Sequence, residues 1–314
     1  MARDHADSER ADVERAAALL RAGGLVAFPT ETVYGLGADA TNVSAIRRIF
    51  AVKGRPHHHP LILHVASTDA LDRWAAGVRP EARALAAAFW PGPLTLVVRR
   101  SALVPDEVTG GRDTVGLRMP AHRTAIALLK LFDGAVAAPS ANRFGRVSPT
   151  TADHVRADLG SDVDLILDGG PSAIGVESTI IELIDEPVLL RPGGLALERI
   201  EEVLGRAVRR DVAGTSRAPG MLESHYAPRC RIEIVDTSTA TARRDALAAE
   251  GLAVDVWRPG PDDRRTAHEL YRELRAADDN GLDILLAVLP DEQGLGAAVA
   301  DRLRKAAGPR NFDE

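Results

Sequence analysis

Residues 53–64 read KGRPHHHPLILH and gather Lys53, Arg55, His57, His58, His59 and His64 into one short stretch. Cations and imidazoles so close together suit either a metal or a phosphate. Imidazole is a good ligand for zinc and copper. Neighbouring histidines on an extended chain point in different directions, however, and no H-E-x-x-H accompanies them. Lys53 and Arg55 are two residues apart in a loop held by Pro56 and Pro60, which puts both cations on one side of an extended segment. Arginine offers phosphate a bidentate fork, and lysine a point charge. A solvated surface loop is the third reading.

Elsewhere the same chemistry recurs at the ends of apolar runs. TVGLRMP (114–120) sets Arg118 inside an apolar strand, and a buried arginine needs an anionic partner. APSANRFGRVSPT (138–150) carries Ser140, Asn142 and Ser148, GVESTII (175–181) carries Ser178 and Thr179, and RPGG (191–194) begins with Arg191. Each alone is ordinary turn chemistry. Together they place hydroxyls, amides and cations at strand ends, where open α/β sheets bind ligands. No Walker loop, kinase motif set or G-x-S-x-G elbow is present. Glu31 and Glu177 flank these motifs and read equally well as structural. Cys230 has no companion motif.

The elements that must position these residues follow from periodicity. Val13, Ala16, Ala17 and Leu20 share a face of a helix over 8–22, which Gly23-Gly24 ends. Strands are expected at 25–28, 61–65, 94–99, 114–118, 135–138, 163–167, 178–184 and 187–191, with a Thr/Tyr/Gly loop after the first. Helices are expected at 42–51, 80–90, 122–132, 151–159 and 197–204. Several strands follow one another with no helix between, which predicts a mixed, twisted α/β sheet. The segment 205–230 has no periodicity and is long for a structureless connection, hence functional or a linker. Beyond it strands at 231–236, 253–257 and 283–290 alternate with helices at 240–249, 262–277 and 295–307. That is a small parallel, Rossmann-like domain without a G-x-G-x-x-G fingerprint.

With 314 residues, 45% hydrophobic and 27% charged, the chain is long enough for two domains of a soluble globular protein. A net charge of −6 argues against general affinity for nucleic acid or membranes, and one cysteine excludes an intrachain disulfide framework. No apolar h-region and no run of about 18 apolar residues is present, so a cytoplasmic protein is expected.

FPTETVYGLGADA, KGRPHHHPL, PGPLT, VGLRMP, APSANRFGRVSPT, VESTII and LRPG, in that order, resemble the motifs of the YrdC/Sua5 family. APGMLESHYAP resembles that family's linker, and LGAAVADRLRKAAG the end of its C-terminal domain. The resemblance spans about residues 8–308. It implies a YrdC-like sheet with a basic concave face over 8–208, a linker or lid over 209–230, and a Sua5 C-terminal domain over 231–314. It implies a nucleotidyltransferase that makes L-threonylcarbamoyladenylate from L-threonine, bicarbonate or CO₂, and ATP carried with Mg²⁺, and releases pyrophosphate. The product would pass to a threonylcarbamoyl transferase complex for threonylcarbamoyladenosine at position 37 of ANN-decoding tRNAs, with a transient tRNA contact. By the same resemblance Thr32, His64, Arg118 and Ser178 fall at the threonine site. Arg55, His59, Thr114, Ala138, Ser140, Ser148, Arg191 and Tyr226 fall at the ATP site, and Lys53 and Arg55 take the catalytic, phosphate-side positions. His59 stands where many relatives carry Asn; imidazole can still donate to a phosphate or accept from a base. Carbamoyl transfer in hydrogenase maturation is a second reading, which normally brings Cys-rich zinc modules. A non-catalytic RNA-binding module is a third, and neither the acidity nor the scarcity of aromatic stacking motifs favours it.

Overall fold

The computed structural model describes residues 2–211, 219–220 and 225–309, with backbone alone over 2–8. The first part runs α1 (Ala2–Arg21), β1 (Val26–Phe28), β2 (Gly35–Asp39), α2 (Val43–Lys53), β3 (Ile62–His64), α3 (Ala70–Trp74), α4 (Pro80–Phe89), β4 (Leu94–Arg99) and α5 (Asp106–Thr109). It continues with β5 (Thr114–Arg118), α6 (Arg123–Phe132), β6 (Val136–Ala137), α7 (Ala152–Leu159), β7 (Leu165–Ile166), β8 (Thr179–Glu182), β9 (Val188–Arg191), α8 (Leu197–Leu204) and β10 (Arg209–Arg210). Its strands form one sheet in the order β10-β9-β8-β4-β5-β3-β6-β2-β1-β7. Parallel pairs such as β3–β5 and β4–β8 alternate with antiparallel ones such as β4–β5, so the sheet is mixed, as the sequence predicts.

Strand alternation sorts the two faces. Leu63, Leu94, Leu96, Val98, Val115, Leu117, Ile181 and Leu189 join the main core with α2, α4 and α8. Ile62, Val97, Ile180, Val188 and Leu190 form a small apolar patch on the opposite face. Residues in phase with that patch are the polar ones singled out above. His64 and Arg118 are direct neighbours across the β3–β5 ladder. On β9 a register shift pairs Ile181 with Leu189 but Ile180 with Arg191. The extra residue, Leu190, turns Arg191 to the patch side, where strict alternation would have sent it into the core. Helices α1 and α6 cover only the β1–β6 end of that face, through Ala16, Leu20, Leu128, Leu129 and Phe28.

The second part runs β11 (Arg231–Ile234), α9 (Ala240–Ala249), β12 (Val254–Trp257), α10 (Asp263–Asp279), β13 (Ile284–Ala287) and α11 (Gly296–Ala306), with parallel strands in the order β11-β13-β12. Ala267, Leu270, Tyr271 and Leu274 of α10 recur at helical spacing, and they share one buried cluster with Val33, Val147 and Val176 of the first part. The two sheets thus pack through a common core. Among the described residues no helix is long and apolar enough to cross a membrane.

The structure departs from the sequence-based expectation at four places. β2 occupies residues expected to be loop, and α3, α5 and β10 were not anticipated. The expected linker-lid, 209–230, begins with β10, and its residues 212–218 and 221–224 lie outside the described residues.

Candidate functional site

Helix α2 ends in a Schellman motif. Gly54 takes φ 63°, its N–H reaches the Ala51 carbonyl at 3.2 Å, and the Arg55 N–H reaches the Phe50 carbonyl at 2.9 Å. A glycine at C′ carries that left-handed turn without a Cβ penalty. The turn sends Lys53 and Arg55 into the protein, and both are buried. Their surroundings differ. Arg55 reaches the cleft with its Nη2 on the Pro60 carbonyl at 3.0 Å, its guanidinium 5.6 Å from the Phe144 ring and its Nε unpartnered. Lys53 does not line the cleft. Its ammonium donates to the Ser140 carbonyl at 2.6 Å and to the Asn142 carbonyl. Burial, and then Arg55 beside it, push its pKa well below the usual lysine range. In this structure Lys53, expected as a charge presented to phosphate, buttresses the Ser140–Asn142 backbone. The three histidines also separate: His57 and His58 are exposed, with His57 against Phe50, whereas His59 is buried. Among the described residues no three His, Cys, Asp or Glu side chains converge on a metal position.

The cleft lies on the open face of the sheet. Of the predicted residues it brings together Arg55, His64, Arg118, Ala138, Ser140, Ser178, Arg191 and Tyr226. Arg118 Nη2 donates to Glu31 Oε1 and to Thr32 Oγ1, each at 2.8 Å, and its Nε to the Gly92 carbonyl at 3.3 Å. The anion that a buried arginine demands is therefore Glu31, whose other oxygen accepts from the Ala121 N–H at 3.0 Å. Burial, with Arg118 adjacent, lowers His64 to about 3, so the ring is neutral near pH 7 and its Nδ1 has no partner. Ser178 Oγ bonds Thr95 Oγ1 at 2.8 Å and accepts from Arg191 Nη2 at 3.2 Å. Arg191 also donates to the Ser178 and Pro219 carbonyls at 2.9 and 3.0 Å.

Four predicted residues stand behind or beside this wall. Thr32 is fully buried and bonded to Thr30 Oγ1 at 2.8 Å. His59 lies against His58 at a tilt and edge-on to Phe144, and burial lowers it to about 4. Ser148 donates to Glu177 Oε1 at 2.6 Å. Thr114 lines a small adjoining recess with Ile62, Gly116 and Ile180.

Pro219, Gly220, His225 and Tyr226 line the cleft beside the sheet residues. They are tied to the second sheet domain, because Lys305 Nζ donates to the Gly220 carbonyl at 2.6 Å and the His225 N–H donates to the Lys305 carbonyl at 3.1 Å. Tyr226 stacks on Tyr271 at 5.9 Å, with Arg302 5.0 Å from its ring. Sequence reasoning missed Thr30 and Tyr34 in the wall, although both sit inside the FPTETVYG motif. It also missed Tyr271, which lies in no quoted motif, and Arg302, which sits inside LGAAVADRLRKAAG. The site as a whole offers three arginines and several hydroxyls to a polyanion or a carboxylate, and both nearby carboxylates are already engaged.

A family profile named Sua5_yciO_yrdC and described as "Telomere recombination" matches residues 18–193, and one described as "Threonylcarbamoyl-AMP synthase, C-terminal domain" matches residues 195–308. The chain is 47% identical to the threonylcarbamoyl-AMP synthase of Pyrococcus abyssi, covering 94% of each sequence. It is 40% identical to that of Bacillus subtilis, covering 98% of this chain and 96% of the relative. The crystal structure of P. abyssi Sua5 complexed with L-threonine superposes with a TM-score of 0.88 at 45% identity over 94% of both chains.

Proposed function

The chain belongs to the Sua5/YciO/YrdC family, and on that premise we propose that it is an L-threonylcarbamoyladenylate synthase. L-Threonine's amine captures CO₂, derived from bicarbonate, as a carbamate. A carbamate oxygen attacks the α-phosphorus of ATP, the bond to the β-phosphate oxygen breaks, and pyrophosphate leaves. No enzyme nucleophile is needed, so the protein's work is positioning and charge neutralisation. The observation that carries this reading is the convergence of Arg55, Arg118 and Arg191 on one cleft with Ser140 and Ser178. Arg118 would take threonine's carboxylate, with Thr32, His64 and Ser178 around its polar groups. Arg55 and Arg191 would take phosphates, and Ala138, Ser140, Ser148, Thr114, His59 and Tyr226 would surround the nucleotide, with Lys53 holding the Ser140–Asn142 backbone against it.

Mg²⁺ fits as a passenger of the nucleotide. Glu31 is held by Arg118 and Glu177 by Arg302, so the donor set favours a metal carried by phosphate oxygens and water, where it neutralises their charge. The enzyme would act in the cytoplasm and hand its product to a transferase complex that modifies ANN-decoding tRNAs at position 37, touching tRNA transiently. The test is pyrophosphate release with product mass. Release should require both L-threonine and bicarbonate; ADP and phosphate as products, or indifference to threonine, would exclude the synthase.

A second expected result separates phosphate from metal chemistry. Arg55→Ala should raise the ATP requirement by roughly 30-fold or more, the scale for truncating one partner of a desolvated charge pair. Lys53→Ala should also raise it, and should cost about 1–3 kcal/mol of stability through unsatisfied loop carbonyls. His57→Ala and His58→Ala, at exposed positions, should change neither. Stoichiometric zinc lost on mutating those histidines would reverse the assignment.

A further inference from the structure

Glu177 stands in the cleft wall, yet its carboxylate is gripped from behind by the second sheet domain. Oε2 accepts from Arg302 Nε at 2.7 Å and from Tyr271 Oη at 2.8 Å, and Oε1 accepts from Ser148 Oγ at 2.6 Å. Arg302 is fully buried and does not line the cleft, so it touches no substrate. It also donates to the Pro192 carbonyl at 3.0 Å and to Asp301 at 2.5 Å, while its Nη2 is buried without a partner. Such a pair gives little net stability, because desolvation offsets the attraction.

We propose that Arg302 is a positioning residue that acts through Glu177: the second domain neutralises a carboxylate in the first domain's cleft and so lets that cleft accept a triphosphate. This rests on the reading of the cleft as an ATP site. Glu177 is faced by Arg302 from α11, Tyr271 from α10, Arg191 from β9, and His225 and Tyr226 of the segment before the second sheet, while Asp301 and Lys305 of α11 are coupled to Arg302. Burial alone would raise its pKa; Arg302 and then Arg191 bring it down to about 2. Without Arg302 the carboxylate would titrate higher. Once ionised it would compete for Arg191 and repel ATP. That loss grows as pH rises. Threonine, a zwitterion of zero net charge, would feel it far less.

The experiment is calorimetric binding of Mg–ATP and, separately, of L-threonine to the full chain. It compares wild type, Arg302→Met, Glu177→Gln and the double variant at about pH 6 and about pH 8.5. Arg302→Met should weaken ATP roughly tenfold or more at the higher pH and less at the lower, with threonine within about twofold. Adding Glu177→Gln should restore ATP to within about threefold and remove the pH dependence. ATP affinity unchanged in folded Arg302→Met, or no rescue in the double variant, overturns the proposal. Where Arg302→Met fails to fold, the double variant is read against Glu177→Gln alone: equal ATP affinities support action through Glu177, and a weaker double variant refutes it. Binding needs no turnover, so wild type that binds ATP but releases no threonine-dependent pyrophosphate would refute the synthase reading and leave this test intact.

Discussion

Arg118→Ala should all but abolish threonine binding. Truncating one member of a desolvated charge pair costs about 2–5 kcal/mol, which is roughly 30-fold to several-thousand-fold in affinity. The same change also strips Glu31 of its buried partner and leaves it only the Ala121 N–H. Breaking a buried pair costs about 3–5 kcal/mol of stability, within the 5–15 kcal/mol that domains typically hold. Binding and folding effects must therefore be separated. Calorimetry with L-threonine should be read beside thermal melting of Arg118→Ala and of Arg118→Ala with Glu31→Gln. The second substitution should return stability without returning affinity. Unchanged threonine affinity in a folded Arg118→Ala protein would mean that Arg118 serves only the core and Glu31.

Tyr226→Ala should uncouple synthesis from protection of the product. Tyr226 has φ 64° and is almost fully buried, held by Tyr271, His225 and Arg302. A non-glycine residue at positive φ stores about 1–3 kcal/mol, which its packing must outweigh. Truncating a buried aromatic forfeits about 3–5 kcal/mol of local packing. The segment lining the cleft should then open to water, and a carbamoyl-adenylate should be hydrolysed to AMP several-fold faster relative to its release. Tyr226→Gly should lose the same packing but shed the backbone strain, and so melt above Tyr226→Ala by about 1 kcal/mol equivalent. Product partition measured by mass in both variants decides the matter. A wild-type ratio of intact to hydrolysed product would reduce the segment to a tether.

Most of the sheet was legible because its strands are apolar runs bounded by glycine and proline, and the parallel second domain because strand and helix periods alternate cleanly. β2 was not, since GLGAD has the composition of a loop. The structure shows why it cannot look otherwise: a Cβ at Gly37 would lie 2.6 Å from Val136 and 2.8 Å from Phe28. Close packing forbids the β-branched residue that would have announced the strand. The cleft's cations were legible as types and motifs. Which of them faces ligand was not, because that depends on a helix cap at Gly54, a bulge before Arg191 and carbonyls 87 and 89 residues from Lys53. The Glu177–Arg302 pair spans 125 residues, from VESTII to LGAAVADRLRKAAG, and only tertiary structure joins the two motifs.

Arg302 lies in α11, 125 residues after Glu177, and that order has a temporal consequence. A ribosome adds about 5–20 residues per second, so the 125 residues from Glu177 to Arg302 take roughly 6–25 s. Through most of that time the first sheet can collapse around its own core, but Glu177 has neither Tyr271 nor Arg302 beside it. The growing chain therefore carries in its cleft a carboxylate held only by Ser148 and Arg191 of the first part, and exposes the apolar side of Val33, Val147 and Val176. Completion of the cleft therefore waits on the docking of α10 and α11, which bring Tyr271 and Arg302 to Glu177.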